Sequence, residues 1–487
     1  MKQVKLTIFF LILVVLGTSS FQESYRVVRE TPLKGYYRQT QVPDLKLFTW
    51  KRWFSAEFQE VFADRINNNT GFRISMIRIN NQLDYSLFGV IHAKGFVTGK
   101  ERYLFEEDYI HEYTGDYFIG EAPIKRKLSR LKNVMDSLRS YHVPLLLVFE
   151  PGKASFYPEY IPRRFHPESR GQSNYDYMVQ YAREIGLPFI DLNRYFLQLK
   201  DTSRYPLFPR YGMHWSLFGV PFAVDTLSKS IVAATGGRIP NFTMLPLVKC
   251  SVPVGTDNDI GELLNLACDL PPTAGALPTI RFDGSVPRTV DALVIADSYY
   301  INIVEKYGRK MFRSQDYWYY NKKLYPYQNQ EPTPVPDKTN LREKLTKYGV
   351  IILMASEINL HCGFWNFADE AFLAFHPEVK DSRLDGIADD IRNEREWFRF
   401  VVAKAKGQGK TVEEMVRADA EYTFYTNYDN LPGKAFQDSI QHLVIDIRSN
   451  AGWLDQVKQK ATDRHISLDS MILLDAIYSY NESKKNR

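Results

Sequence analysis

Ser298 and His214 are the two residues whose types and settings suit nucleophilic chemistry. Ser298 ends the apolar run "DALVIADS" (291–298), follows Asp297, and precedes "YYINIVEKY", which can run on as a helix. A serine at a strand-to-helix turn is well placed as a nucleophile. Its own N–H and the helix start can hold the negative charge that develops on an acyl oxygen. His214 lies in "RYGMHWSLFG" (210–219), beside Trp215, in a polar and aromatic loop. An imidazole there can act as general base toward the serine hydroxyl. Two positions earlier, where such a base often finds its carboxylate, the chain has Gly212. The histidine is either a base without its usual acid or a packed structural residue.

The elements that must bring these residues together read as an α/β domain. The helix "APIKRKLSRLKNVMDSLRSY" (122–141) leads into the strand "VPLLLVFE" (143–150), and a helix at 175–186 into "LPFIDL" (187–192). "DALVIADS" (291–298) and "GVIILMAS" (349–356) are further continuous apolar runs. Runs without alternation indicate strands covered on both faces, as in a doubly wound, mainly parallel sheet. Catalytic groups collect at the carboxyl edge of such a sheet. Before it, residues 45–95 have a broadly helical pattern, and "GFVTGKERYLFE" (95–106) has the alternation of a β-hairpin.

The expected organisation is a signal peptide or signal anchor (1–20), an N-terminal helical segment (21–94), the α/β domain (95–375) and a C-terminal helical region (376–487). That last region contains an internal repeat. Residues 390–422 align without gaps on 446–478, pairing Trp397 with Trp453, Lys404 with Lys460 and Asp419 with Asp475. Each unit is expected to be two helices, the second capped by Thr411 or Ser467, packing on its twin or on the α/β domain.

The net charge is +5, from 62 Lys and Arg against 57 Asp and Glu, too weak and scattered an excess to argue for nucleic acid. Lys2 and Lys5, the apolar run "LTIFFLILVVLG" (6–17) and the small residues "TSS" (18–20) describe an export signal. Three cysteines exclude a disulfide framework, although Cys250 and Cys268 are close enough in sequence to pair. No Cys/His spacing suits a metal, and no cofactor is expected.

"LVIADSYY" resembles the serine block of SGNH hydrolases, with Ala296 in place of the usual glycine. "GMHWSLFG" resembles the Asp-x-His-Trp block of the alginate O-acetyltransferase family, a branch in which the histidine block comes first, as here. "VTGKERYLF" (97–105), "FEPGKASFYPEYIP" (149–162) and "DNDIGELLNL" (257–266) are similar to further family stretches. The resemblance covers roughly residues 50–375. It implies an SGNH-like fold and an exported enzyme, periplasmic or in the cell envelope, that moves acetyl groups onto a polysaccharide. It also implies a multi-pass membrane O-acyltransferase as partner, Ser298 as nucleophile and His214 as base. A carbohydrate esterase using the same pair is one alternative. A catalytically silent glycan-binding scaffold is the other.

Gly212 breaks the family pattern, and three arrangements answer it. Asp191, Glu150 or Glu357, each at a strand end, reaches His214; a backbone carbonyl orients the ring instead; or the site is silent. Each of the three carboxylates has an ordinary alternative as a cap or ion-pair partner. Asp297, Asn359, Lys153 and Trp215 are further candidates for oxyanion or substrate contacts, Lys153 toward an anionic sugar or acyl donor. The aromatic stretch 317–327 could stack against sugars or simply alternate along a strand.

Overall fold

The computed structural model describes residues 2–35, 48–325, 333–334, 338–426, 434–464 and 466–485. Helix α1 (Lys2–Tyr25) contains the apolar run and continues past its expected end at residue 20. It is long and apolar enough to cross a bilayer, and almost none of it is buried. Helices α2 (Trp50–Phe54), α3 (Glu57–Asn69) and α4 (Arg73–Phe88) occupy the segment read as helical. The expected hairpin is β1 (Phe96–Thr98) against β2 (Leu104–Glu106), with Phe96 opposite Glu106.

The central sheet follows the pattern of uninterrupted apolar runs. Its strands are β3 (Leu145–Glu150), β4 (Phe189–Asp191), β5 (Asp291–Ala296), β6 (Ser314–Tyr319), β7 (Lys323–Tyr325), β8 (Thr333–Pro334) and β9 (Val350–Ser356). Their order is β8-β7-β6-β5-β9-β3-β4. The five strands from β6 to β4 are parallel, and β7 and β8 continue the sheet antiparallel at one edge. Alternate residues serve two cores. Leu147, Phe149, Leu293, Ile295, Ile351 and Leu353 point to one, with Leu128 and Leu131 of helix α5 (Glu121–Arg139). Val148, Val294, Ile352 and Met354 point to the other, with Val224 and Leu227 of helix α6 (Val220–Thr235). Burial on both faces is why these strands lack polar alternation.

Three C-terminal helices, α7 (Arg383–Asn393), α8 (Arg395–Gly407) and α9 (Val412–Thr426), bury Ile391, Phe398, Val401 and Met415 in the first of those cores. Helices α10 (Lys434–Ser449), α11 (Ala451–Arg464) and α12 (Leu468–Lys485) enclose a separate cluster around Ile447, Val457 and Ile472. Each aligned unit therefore touches three helices rather than two. The backbone turns extended at Glu394 (φ −92°, ψ 102°), and Asn450 accepts from the Trp453 N–H at 3.1 Å, so the long first helix is broken in both. His465, inside the second aligned segment, and Pro326 and Tyr327 of the aromatic stretch lie outside the described residues. Cys250 and Cys268 are free, so the pairing suggested by their spacing does not form.

Candidate active site

The turn that carries Ser298 is built by the end of β5. After Ala296 the chain turns at Asp297, whose carboxylate accepts from the Tyr299 N–H at 3.0 Å and caps the helical turn Ser298–Tyr300. Its second oxygen accepts from the Ser356 N–H (2.9 Å), the Ser356 hydroxyl (2.6 Å) and Asn359 Nδ2 (2.7 Å) at the end of β9. Asp297 is fully buried and committed to these donors. It clamps two neighbouring strand ends and fixes where Ser298 projects. Asn359 serves that clamp, though it also lines the cavity beside Ser298. The Ser298 N–H occupies the first position of a helical turn, where no intrahelical acceptor exists.

His214 comes from the long excursion between β4 and α6, which needs anchoring because it has no sheet to hold it. Trp215 supplies one anchor. It is fully buried, stacked on Phe196 at 5.8 Å and edge-on to Tyr299 at 5.1 Å, and so is a core residue rather than a substrate contact. Lys153 supplies the other. Its ammonium, buried beneath the loop, donates to the carbonyls of Leu104 (2.7 Å), Arg210 (2.9 Å) and Gly212 (2.7 Å). Burial lowers its pKa to about 7. Those bonds tie hairpin β1–β2 to the residues just before the histidine.

So held, His214 Nε2 lies 2.8 Å from Ser298 Oγ. Its other ring nitrogen, Nδ1, lies 2.5 Å from Oδ2 of Asp259. The carboxylate's Oδ1 accepts from the Met213 N–H at 2.8 Å. With Nδ1 donating to a carboxylate, Nε2 is left as the acceptor facing the serine hydroxyl, the tautomer that proton abstraction needs. Asp259 opens the short helix Asp259–Leu263, and its loop is stitched in from three sides. The Leu217 N–H donates to Asp257 at 2.8 Å, the Gly261 N–H to the Tyr211 carbonyl at 3.0 Å, and Asn302 Nδ2 to the Thr256 hydroxyl at 3.0 Å. Asn302 follows the turn that bears Ser298, which links the Asp259 loop directly to the helix after Ser298.

The same loop explains Gly212. A Cβ there would lie 2.1 Å from the Thr256 carbonyl oxygen and 2.8 Å from the Pro209 ring. The acid loop fills the space a side chain at 212 would need. Sequence reasoning missed Asp259, although it lies within "DNDIGELLNL", a stretch singled out on other grounds. The available signal was a glycine where an acid is expected, together with two aspartates, 257 and 259, opening a short helix.

None of the three carboxylates nominated from the sequence bonds to His214. Asp191 caps the helix Leu192–Leu199 and accepts from the Arg194 N–H and the Tyr175 hydroxyl. Glu357 accepts from Ser155 and Asn193, and burial pushes its pKa up to about 7. Glu150 is wholly buried at the end of β3, and desolvation, with Asp297 nearby, raises its pKa well above the carboxylate range. All three sit at carboxyl ends of strands, as expected, but the histidine arrives over a different part of that edge.

A cavity of about 420 Å³ opens onto Ser298. Met213, Tyr320 and Asn359 line it from the α/β domain, and Asn393, Arg395 and Phe398 from the C-terminal helices. Tyr320 lines the cavity beside Ser298, and burial raises its pKa. Of the aromatic stretch, Tyr319 and Tyr320 reach the cavity, while Tyr317 and Trp318 are buried in the two cores. Arg395 pairs with Glu106 and, at 2.5 Å, with Asp108; Arg399 pairs with Asp108 at 2.6 Å. Burial raises the Glu106 pKa against the pull of Arg395. Among the described residues no group of three or more His, Cys, Asp or Glu side chains could hold a metal ion.

Residues 96–270 match the family described as the SGNH hydrolase-like domain of the acetyltransferase AlgX. A stretch of 149 residues is 26% identical to the probable alginate O-acetylase AlgJ of Pseudomonas putida, covering 31% of this chain and 37% of that protein. The chain thus spans about a third of the length of that curated relative. Among solved structures, the O-acetyltransferase domain of Pseudomonas putida AlgJ superposes with a TM-score of 0.35 at 18% identity, over 55% of this chain and 92% of that one. Pseudomonas aeruginosa AlgX does so with a TM-score of 0.34 at 12% identity, over 56% and 66%. For Bacillus cereus PatB1 the TM-score is 0.33 at 11% identity, over 54% and 96%. His214 and Asp259 fall inside the family match, and Ser298 lies just beyond it.

Proposed function

We propose that this chain, whose residues 96–270 are an SGNH hydrolase-like domain of the alginate O-acetyltransferase family, is an exported serine O-acetyltransferase acting on a polysaccharide. The observation that carries the reading is the unbroken relay from Ser298 Oγ through His214 to Asp259, opening onto a cavity.

In the first step Ser298 Oγ attacks the acyl carbonyl while His214 Nε2 takes its proton. The tetrahedral oxyanion faces the Ser298 N–H at the start of its helical turn. Collapse expels the donor's leaving group, which receives the proton from His214, and leaves acetyl-Ser298. In the second step a sugar hydroxyl, deprotonated by His214, attacks that ester. Collapse returns the proton to Ser298 and releases the acetylated sugar. Asp259 holds the Nδ1–H tautomer and stabilises the imidazolium formed in each step. A carboxylate arriving from residue 259 thus supplies what position 212 lacks, and no cofactor is required.

On this reading α1 is a signal or membrane anchor, the α/β domain lies in the periplasm or cell envelope, and a multi-pass membrane O-acyltransferase delivers the acyl group. The C-terminal helices are two copies of one unit, of which the first also walls the cavity. What supports the duplication is a matched trio: Lys404 donates to Asp419 at 2.6 Å and Trp397 to the same residue at 3.4 Å, while Lys460 and Trp453 donate to Asp475 at 2.7 and 3.0 Å.

The test is to incubate the protein with an activated acetyl ester, with and without a uronate oligosaccharide. Acetylated oligosaccharide is the expected product. Acetate alone, at the same rate in both, would make the protein an esterase. No turnover, with normal glycan acetylation in cells carrying Ser298→Ala, would make it a scaffold.

A further inference from the structure

Helix α4 is built inside out. Its polar and aromatic residues face the domain: Asn81 Nδ2 donates to the Leu264 carbonyl at 2.9 Å, Arg78 to the Leu266 carbonyl at 3.2 Å, and Tyr85 is buried against Leu104, Tyr211 and Ile260. The opposite face carries Met76, Ile79, Leu83 and Leu87, spaced three and four residues apart, residues that are 41%, 54%, 54% and 68% exposed. A helix on a water-soluble surface normally puts such a stripe against its core. A contiguous apolar face left outside marks an interaction surface.

Its surroundings indicate what covers it. The start of α4 is pressed against α1: a Cβ at Gly71 would lie 2.2 Å from the Ser19 carbonyl oxygen and 2.7 Å from Gln22 Cβ. The segment leaving α1 is tied to the first turn of α4, where Glu30 accepts from the Ser75 N–H at 2.7 Å and its hydroxyl at 2.6 Å. The stripe therefore begins where the long apolar helix ends. Upstream, "TWKRWF" (49–54) exposes Trp50 and Phe54 around Lys51 and Arg52, and α3 exposes Phe62 and Ile66 one turn apart. Tryptophan with lysine and arginine beside an apolar face is the chemistry of the water–lipid boundary.

We infer that α4, with α2 and the apolar edge of α3, lies in the headgroup region of the bilayer entered by α1, so that the domain is held against the membrane at a second place. This rests on the reading of α1 as a membrane anchor. Over α2–α4 the basic residues Lys51, Arg52, Arg65, Arg73 and Arg78 nearly balance Glu57, Glu60, Asp64 and Asp84, so apolar insertion rather than charge drives the contact and a zwitterionic bilayer suffices. The consequence reaches the site. Leu264, which accepts from Asn81, follows directly on the short helix that Asp259 opens. The membrane-facing helix thus braces the residue that orients His214.

The test uses the full chain, with Cys250 and Cys268 replaced by serine, reconstituted in phosphatidylcholine vesicles. Nitroxide labels are placed singly at Leu83→Cys, at Met76→Cys and, in α1, at Ile12→Cys. Labels at 83 and 76 are expected to collide more with dissolved oxygen than with an aqueous nickel chelate, at a depth of about 5–10 Å. If Ile12 reports the bilayer interior while 83 and 76 report water, the inference is overturned and the anchor stands. If 83 and 76 are shielded from both reagents, protein covers the stripe and the inference is overturned too. If Ile12 reports water while 83 and 76 report lipid, the surface contact holds and the anchor reading fails.

Discussion

Asp259 meets His214 from 45 residues downstream, in a loop that fills the space a side chain at position 212 would need. The acid and the vacancy it answers are two aspects of one loop conformation. Asp259→Asn keeps the shape but offers an amide where the imidazole needs a carboxylate. We expect kcat for acetyl transfer to fall by on the order of 10²–10⁴, with KM and melting temperature little changed. A variant with more than half of normal activity would remove Asp259 from the relay.

Restoring an acid at 212 should not rescue that loss. Gly212→Asp in the Asp259→Asn background pushes a Cβ into the Thr256 carbonyl, so the loop must move and the serine–histidine contact with it. The expected result is a lower melting temperature and no recovered rate. Recovery would mean that the loop yields more readily than its stitching implies.

Lys153 predicts a positioning effect. Lys153→Met removes three donors and leaves three carbonyls in a buried setting, at about 1–3 kcal/mol for each left unsatisfied. Stability should fall measurably by thermal melt. In the fraction still folded, kcat should drop while KM holds, because the loop that aims His214 loses its tether. A rise in KM at constant kcat would instead make Lys153 a substrate contact.

Much of this architecture is legible in the sequence. The strands could be read because "LLLVFE", "DALVIA" and "VIILMAS" are covered on both faces and carry no polar alternation. Ser298 could be read because it ends such a run. His214 needed the motif. Asp259 was hidden because its partnership depends on the path of an irregular loop, which no local periodicity records. Lys153 was noticed for its charge, but its three carbonyl partners come from two other parts of the chain. The cavity wall formed by Arg395 and Phe398 was equally out of reach, since the repeat says that those helices must pack but not that they join the sheet's core beside Ser298.

Asp257 gives a pH signature. Burial raises its pKa from 3.8 to about 6, so between those values the folded state holds a proton that the unfolded state has released. Stability from this group is full below about pH 4 and is lost as pH rises toward 6, then stays flat. Asp257→Asn, which mimics the protonated form and can still accept from Leu217, should raise the melting temperature at pH 7.5. It should leave it unchanged at pH 3.5. An equal shift at both values would show that ionisation is not the cause.

Arg395 tests the C-terminal wall. Arg395→Met takes a guanidinium from Glu106 and weakens the pairing of Asp108, both nearly buried beside the cavity. Breaking a fully buried pair costs about 3–5 kcal/mol, and less is expected here because Arg395 is half-exposed and Arg399 remains on Asp108. KM for the oligosaccharide should rise, with the rate of Ser298 acetylation by a small activated ester unchanged. An unchanged KM would confine the C-terminal helices to a structural role.

The central claim is that Ser298 carries the acetyl group, and trapping that intermediate tests it most directly. After brief mixing with an activated acetyl ester and an acid quench, peptide mass spectrometry should find one acetyl group on Ser298. It should be absent in Ser298→Ala, formed far more slowly in His214→Ala, and discharged when oligosaccharide is added before the quench. Acetylation at another residue that turns over at the full rate, or glycan acetylation that persists in Ser298→Ala, would contradict the account.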